Sequence, residues 1–99
     1  MFAVIRHYHF EKSDTAEIDR LIQDEFVPII RKAQGFVRYY WLDTGAGEGA
    51  SFGVFKDKAG ADESVRRAAE WIKANMPQLV PNAPQVTAGE VVLSTDAPQ

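Results

Sequence analysis

The chain has 99 residues, 45% of them apolar and 11% aromatic, which fits one compact domain and leaves no room for a second. It contains no cysteine, so disulfides, thiolate metal sites and cysteine nucleophiles are excluded; the reducing cytoplasm, where we expect the protein, suits it. Eleven Lys and Arg against fourteen Asp and Glu give a net charge of −3, the opposite of a nucleic-acid footprint.

Residues 2–10 read Phe-Ala-Val-Ile-Arg-His-Tyr-His-Phe, and their β-branched and aromatic content predicts a strand with Phe2, Val4, Arg6, Tyr8 and Phe10 on one face. Arg6, His7 and His9 within that run exclude a signal peptide or a membrane span there. Asp14 with Glu17 three residues later is a capping-box pattern, and the helix it opens runs to about Gln34, where Gly35 stops it. Ile18, Ile22, Phe26, Ile29, Ile30 and Ala33 form one apolar stripe on that helix. Pro28 lies off the stripe and predicts a bend rather than a break.

A second strand spans Phe36–Asp43, and a glycine-rich turn joins it to a third from Ala50 to Phe55. Gly45, Gly47 and Gly49 are hairpin glycines, since a phosphate loop needs a helix to follow. Asp57 caps a second helix to roughly Asn75, with Ala61, Val65, Ala68, Ala69, Ile72 and Met76 on one face. Gln85–Ser94 is the fourth strand, closing a single domain over 1–94, and 95–99 is a polar tail.

The order strand, helix, strand, strand, helix, strand predicts an α+β fold, the ferredoxin-like βαββαβ unit: a four-stranded antiparallel sheet with two helices on one face. Phe36–Leu42 is apolar or aromatic on both faces, yet two helices cover only one. The second face therefore calls for another copy of the chain, a homodimer through sheet faces.

The opening strand Phe2-Ala-Val-Ile-Arg6, Gly35-Phe36 leading into an aromatic strand, Ser51-Phe-Gly-Val-Phe55 entering the second helix, and Gly89-Glu-Val-Val92 together resemble the dimeric α+β barrel superfamily, within it the antibiotic biosynthesis monooxygenase-like domains. The resemblance covers nearly the whole chain and implies a dimeric barrel with a pocket between each sheet and its helices. It also implies functions that range from cofactor-free oxidation of phenols to haem degradation. Haem-degrading members use a first-strand Asn, a helix Trp and a following His; only Trp71 matches, so that activity ranks last. Phenol-oxidising members place an Asn one turn before the Trp, where this chain has Arg67.

Trp71 with Ser64, Arg67 and Asn75 shares one helix flank at 100° spacing, a sparse polar set that could orient a small molecule; packing at the core margin is the alternative. His7 and His9 project from one strand face and offer a general base; with no third His or Cys, no metal is assigned to them. Arg6 and Arg38 lie in apolar runs, where a buried Arg needs a carboxylate or an anionic ligand. Tyr40 shares its face with Phe36, Arg38 and Leu42, while Tyr39 and Trp41 share the other. We thus expect a small dimeric monooxygenase-like protein that holds an apolar or aromatic molecule, with His7, His9 and Trp71 as catalytic candidates. Arg6, Arg38, Tyr40, Ser64, Arg67 and Asn75 are its binding candidates, and no cofactor is called for. The alternative is a non-catalytic ligand-binding or stress-related protein whose pocket is plugged by Phe26, Met76 or Leu79.

Overall fold

Alternation in the first segment produces strand β1 (Phe2–His9) in the computed structural model, which describes residues 1–96. A 3₁₀ turn over Lys12–Asp14 leads into helix α1 (Thr15–Leu21). The predicted capping box does not form: Asp14 already has helical backbone angles and its side chain makes no cap bond. Thr15 Oγ1 instead donates to the Lys12 carbonyl at 2.8 Å. α1 widens into a π-helical turn over Ile22–Phe26 and resumes as α2 (Val27–Ile30), with Pro28 in its first turn. Pro28 has no N–H for the carbonyl four residues back, and the wider turn is the form that the expected bend takes. Helical structure ends at Ile30, short of Gln34, and Gly35 reverses the chain at φ 72°. The stripe is as predicted, with Ile18, Ile22, Phe26 and Ile30 all buried.

Strands β2 (Phe36–Asp43) and β3 (Glu48–Phe55) form the hairpin. Helix α3 (Lys58–Asn75) begins where the Asp57 carboxylate accepts from the Gly60 N–H at 3.0 Å. Its buried side is Gly60, Ala61, Ser64, Ala68 and Trp71, so Trp71 lies in the core while Ala69 is exposed. A Cβ on Gly60 would lie 2.2 Å from the Gln34 carbonyl oxygen, so only glycine lets α3 approach that link. Strand β4 (Gln85–Glu90) is shorter than predicted; the chain leaves the sheet once Val91 N–H has donated to the Met1 carbonyl at 2.8 Å. Positions 97–99 of the predicted tail lie outside the described residues, whereas Asp96 pairs with Arg38 at 3.6 Å.

The four strands run antiparallel in the order β2-β3-β1-β4, with both helical segments on one face: a ferredoxin-like α+β fold. A bulge between Phe36 and Arg38 breaks the alternation of β2. Phe36 therefore pairs with Phe55 and faces the helices with Tyr39 and Trp41, a correction to its predicted grouping with Arg38, Tyr40 and Leu42. The core joins Val4, Ile18, Ile30 and Phe55 beneath the helices. On the opposite face Ile5, Tyr40 and Leu42 stay 40%, 54% and 55% exposed.

Candidate functional site

Between α3, the π-helical turn and the sheet lies a crevice walled by Tyr8, Phe26, Tyr39, Trp41, Trp71 and Met76. Small residues on the helix-facing side of β3 make it possible: a Cβ on Gly49 would lie 2.5 Å from the Trp41 ring, so the indole leans over the bare backbone. Trp41 Nε1 donates to Asp19 Oδ1 at 2.7 Å, which ties β2 to α1. Phe26 packs against Trp71 and Tyr39 at ring-centroid distances of 5.3 and 5.9 Å. As packed, the crevice leaves a void of about 10 Å³, room for one water, with Phe26 and Met76 among its walls.

Beside the crevice, Arg6 is 4% exposed and forms no ion pair among the described residues. Its Nε donates to the Tyr8 hydroxyl at 3.1 Å, and its guanidinium lies 6.0 Å from the centre of the Phe26 ring. The β1–β3 register sets Arg6 directly across from Ser51, whose buried hydroxyl makes no well-formed hydrogen bond and has the Tyr39 phenol as a polar neighbour. A permanent positive charge and an unsatisfied hydroxyl in an aromatic interior are both costly unless an acceptor arrives. Burial pushes the Tyr39 phenol up to about 12, against the pull of Arg6. It raises Tyr8 as well, again opposed by Arg6. Both phenols are therefore neutral hydrogen-bond donors at physiological pH.

The sequence-based candidates divide between locations. Arg6 and Trp71 reach the crevice and its surroundings. Ser64 is buried and donates to its own helix at the Ala61 carbonyl, 2.7 Å away. Arg67 is held by Glu63 at 2.7 Å, and Asn75 Nδ2 donates to the Trp71 carbonyl at 2.9 Å; both line an open groove on the outer side of α3 together with Trp71, as their spacing predicts. His7 and His9 point to the open face with Arg38 and Tyr40, on the other side of the sheet from Trp71. Arg6 and Arg38 are likewise on opposite faces and are not cross-sheet neighbours. A joint site of histidine and Trp71 is thus not assembled, because neighbouring strand residues alternate between faces. Tyr8, Tyr39, Trp41 and Ser51 were not singled out, although Arg6 and Tyr8, two apart on β1, carried that signal.

Solved structures share this fold over nearly the whole chain. A protein of unknown function from Nitrosomonas europaea superposes with a TM-score of 0.81 at 17% identity, over 99% of this chain and 95% of that one. A monooxygenase of Streptomyces coelicolor in complex with the ligand nanaomycin D does so with a TM-score of 0.70 at 14% identity, over 94% and 92%. MhuD with two manganese protoporphyrin IX molecules bound per active site matches with a TM-score of 0.76 at 11% identity, over 98% and 100%. The fold is that of the antibiotic biosynthesis monooxygenase-like proteins. No family model and no curated protein matches the sequence. In this monooxygenase-like fold, no described helix is long and apolar enough to cross a membrane.

Proposed function

We propose that the protein is a cytoplasmic homodimer that binds an aromatic, ionised small molecule, a phenolate or aromatic carboxylate, in the helix–sheet crevice. One observation carries this reading: Arg6 is buried without a carboxylate, opposite a Ser51 hydroxyl that makes no well-formed hydrogen bond and behind a wall of five aromatic side chains. The aromatic wall suits a planar ring, Arg6 suits its negative charge, and the neutral Tyr8 and Tyr39 donate hydrogen bonds. A void of about 10 Å³ admits no ring as packed, so binding requires the walls to open; Met76, unbranched and flexible, is the wall residue best suited to move. The donors and the cation favour the ligand as its anion. A bound phenolate with an open para carbon can then take one oxygen atom of dioxygen there to become a quinone, with dioxygen the oxidant and its second oxygen atom leaving as water.

A second reading is a non-catalytic protein, favoured by the small void of about 10 Å³ that the closed crevice leaves. Titration with nanaomycin D and with a dihydroxynaphthalene, followed by tryptophan fluorescence and an oxygen electrode, separates the two. Saturable quenching with oxygen uptake supports the enzyme, and quenching alone supports the binder. No quenching by either compound removes both. Arg6→Met should keep the fold at equal or higher stability, as apolar replacement of buried charge commonly does, while weakening binding by about 1.5–3 kcal/mol.

The homodimer reading rests on the open face, where Ile5, Tyr40 and Leu42 are exposed beside Phe52, and on an arm in which Val92 and Leu93 are 90% and 86% exposed. Light scattering should give twice the chain mass, and Leu42→Glu should return the monomer.

A further inference from the structure

We infer that His7, His9 and Glu48 form a binding site for a divalent transition metal, Zn²⁺ in the first instance, on the open face of the sheet. Two imidazoles lacked a third ligand in the sequence, and the β1–β3 register supplies it. His9 stands directly across from Glu48, and His7, two residues back on the same face, lies diagonal to it. Opposite His7 stands Ala50, whose methyl leaves the space between the three side chains open.

The distances suit a metal. Glu48 Oε1 lies 3.5 Å from both His7 Nε2 and His9 Nδ1. Bonds of about 2.0–2.1 Å in a tetrahedron put neighbouring ligand atoms about 3.3 Å apart, so two of the three edges are already near that length. The donor atoms of all three residues fall within 4.8 Å of one another, and the imidazole rings are 5.1 Å apart with a 51° tilt. The three side chains are 41%, 69% and 35% exposed, which leaves them free to rotate towards a shared ion.

The chemistry selects the ion. Two nitrogens and one carboxylate oxygen suit Zn²⁺, Co²⁺, Ni²⁺ and Cu²⁺ and are too poor in oxygen for Mg²⁺ or Ca²⁺. Three protein ligands leave a fourth position for water or an added anion. All three ligands come from one strand pair of one chain, so no partner copy is needed to complete the site. His7 and Leu42 both pair with Ala50, so the site borders the face proposed for dimerisation.

The test is calorimetric titration of tag-free protein with ZnCl₂, paired with Co²⁺ absorption in the visible. We expect one Zn²⁺ per chain, a Co²⁺ spectrum of low coordination number, and no saturable heat from MgCl₂. The titration is repeated on Leu42→Glu, in which the site should persist. His9→Ala and Glu48→Gln should each weaken Zn²⁺ binding at least about tenfold. Circular dichroism of these surface variants should match that of the parent, which separates ligand loss from misfolding. Absence of saturable Zn²⁺ heat overturns the proposal, as does an affinity unchanged in the His7→Ala, His9→Ala double variant.

Discussion

The two faces of this one sheet use aromatic residues for opposite ends. On the helix-covered face Tyr8 and Trp41 pack with ring centroids 5.7 Å apart, and burial raises the Tyr8 phenol above its ordinary value. On the open face Tyr40 and Phe52 pair at 6.3 Å, yet Tyr40 remains 54% exposed. A one-residue step along a strand therefore moves a side chain from the stability of the protomer to the surface available for assembly. Phe55 and Phe52 make the sharpest contrast, since both are on β3 and only their parity and depth differ. Phe55→Ala should cost about 3–5 kcal/mol of unfolding free energy, as loss of a fully buried aromatic does. Phe52→Ala should cost less than about 1 kcal/mol in dilute protein while weakening self-association. Denaturant unfolding at low and high protein concentration measures both, and equal losses at low concentration would break the comparison.

Tyr39 extends the contrast to pH. Its phenol keeps its proton to about 12 in the folded protein, whereas the unfolded value is 10.0. Between these values the unfolded chain binds fewer protons, so stability is complete below pH 10 and falls as pH rises towards 12. The loss is on the order of 3 kcal/mol. Tyr39→Phe should flatten the profile over that range, and a profile unchanged by the substitution would show that other groups set it.

Element order, the α1–α2 stripe and the Asp57 cap were legible because each depends on local periodicity or on a single side chain next to its amide. The bulge at Phe36–Arg38 was not, since it arises from how β2 pairs with β3, and it moved Phe36 to the other face. The division of the candidate site was partly legible. His7 and Arg6 differ in parity on β1, which is enough to keep a histidine out of a pocket that Arg6 and Tyr8 face. What no local pattern could disclose is that Trp71 reaches the core and that Glu48 stands across from His9, because both depend on tertiary placement.

Arg67 supplies the smallest effect and a direct test of where the binding set ends. Its spacing on α3 put it beside Trp71, but its guanidinium bonds Glu63 one turn away, with Nε at 2.9 Å and Nη2 at 2.7 Å. The pair is an i,i+4 pair along one helix and still reaches solvent, with side-chain exposures of 36% for Arg67 and 22% for Glu63, so it is worth about 0.3–0.5 kcal/mol. Arg67→Gln should therefore lower stability by no more than about that amount and leave ligand affinity unchanged, in contrast to Arg6→Met. Should Arg67→Gln weaken binding as strongly as Arg6→Met, the ligand must extend past Trp71 onto the outer surface of α3. The anion would then be held from outside the sheet as well as from within.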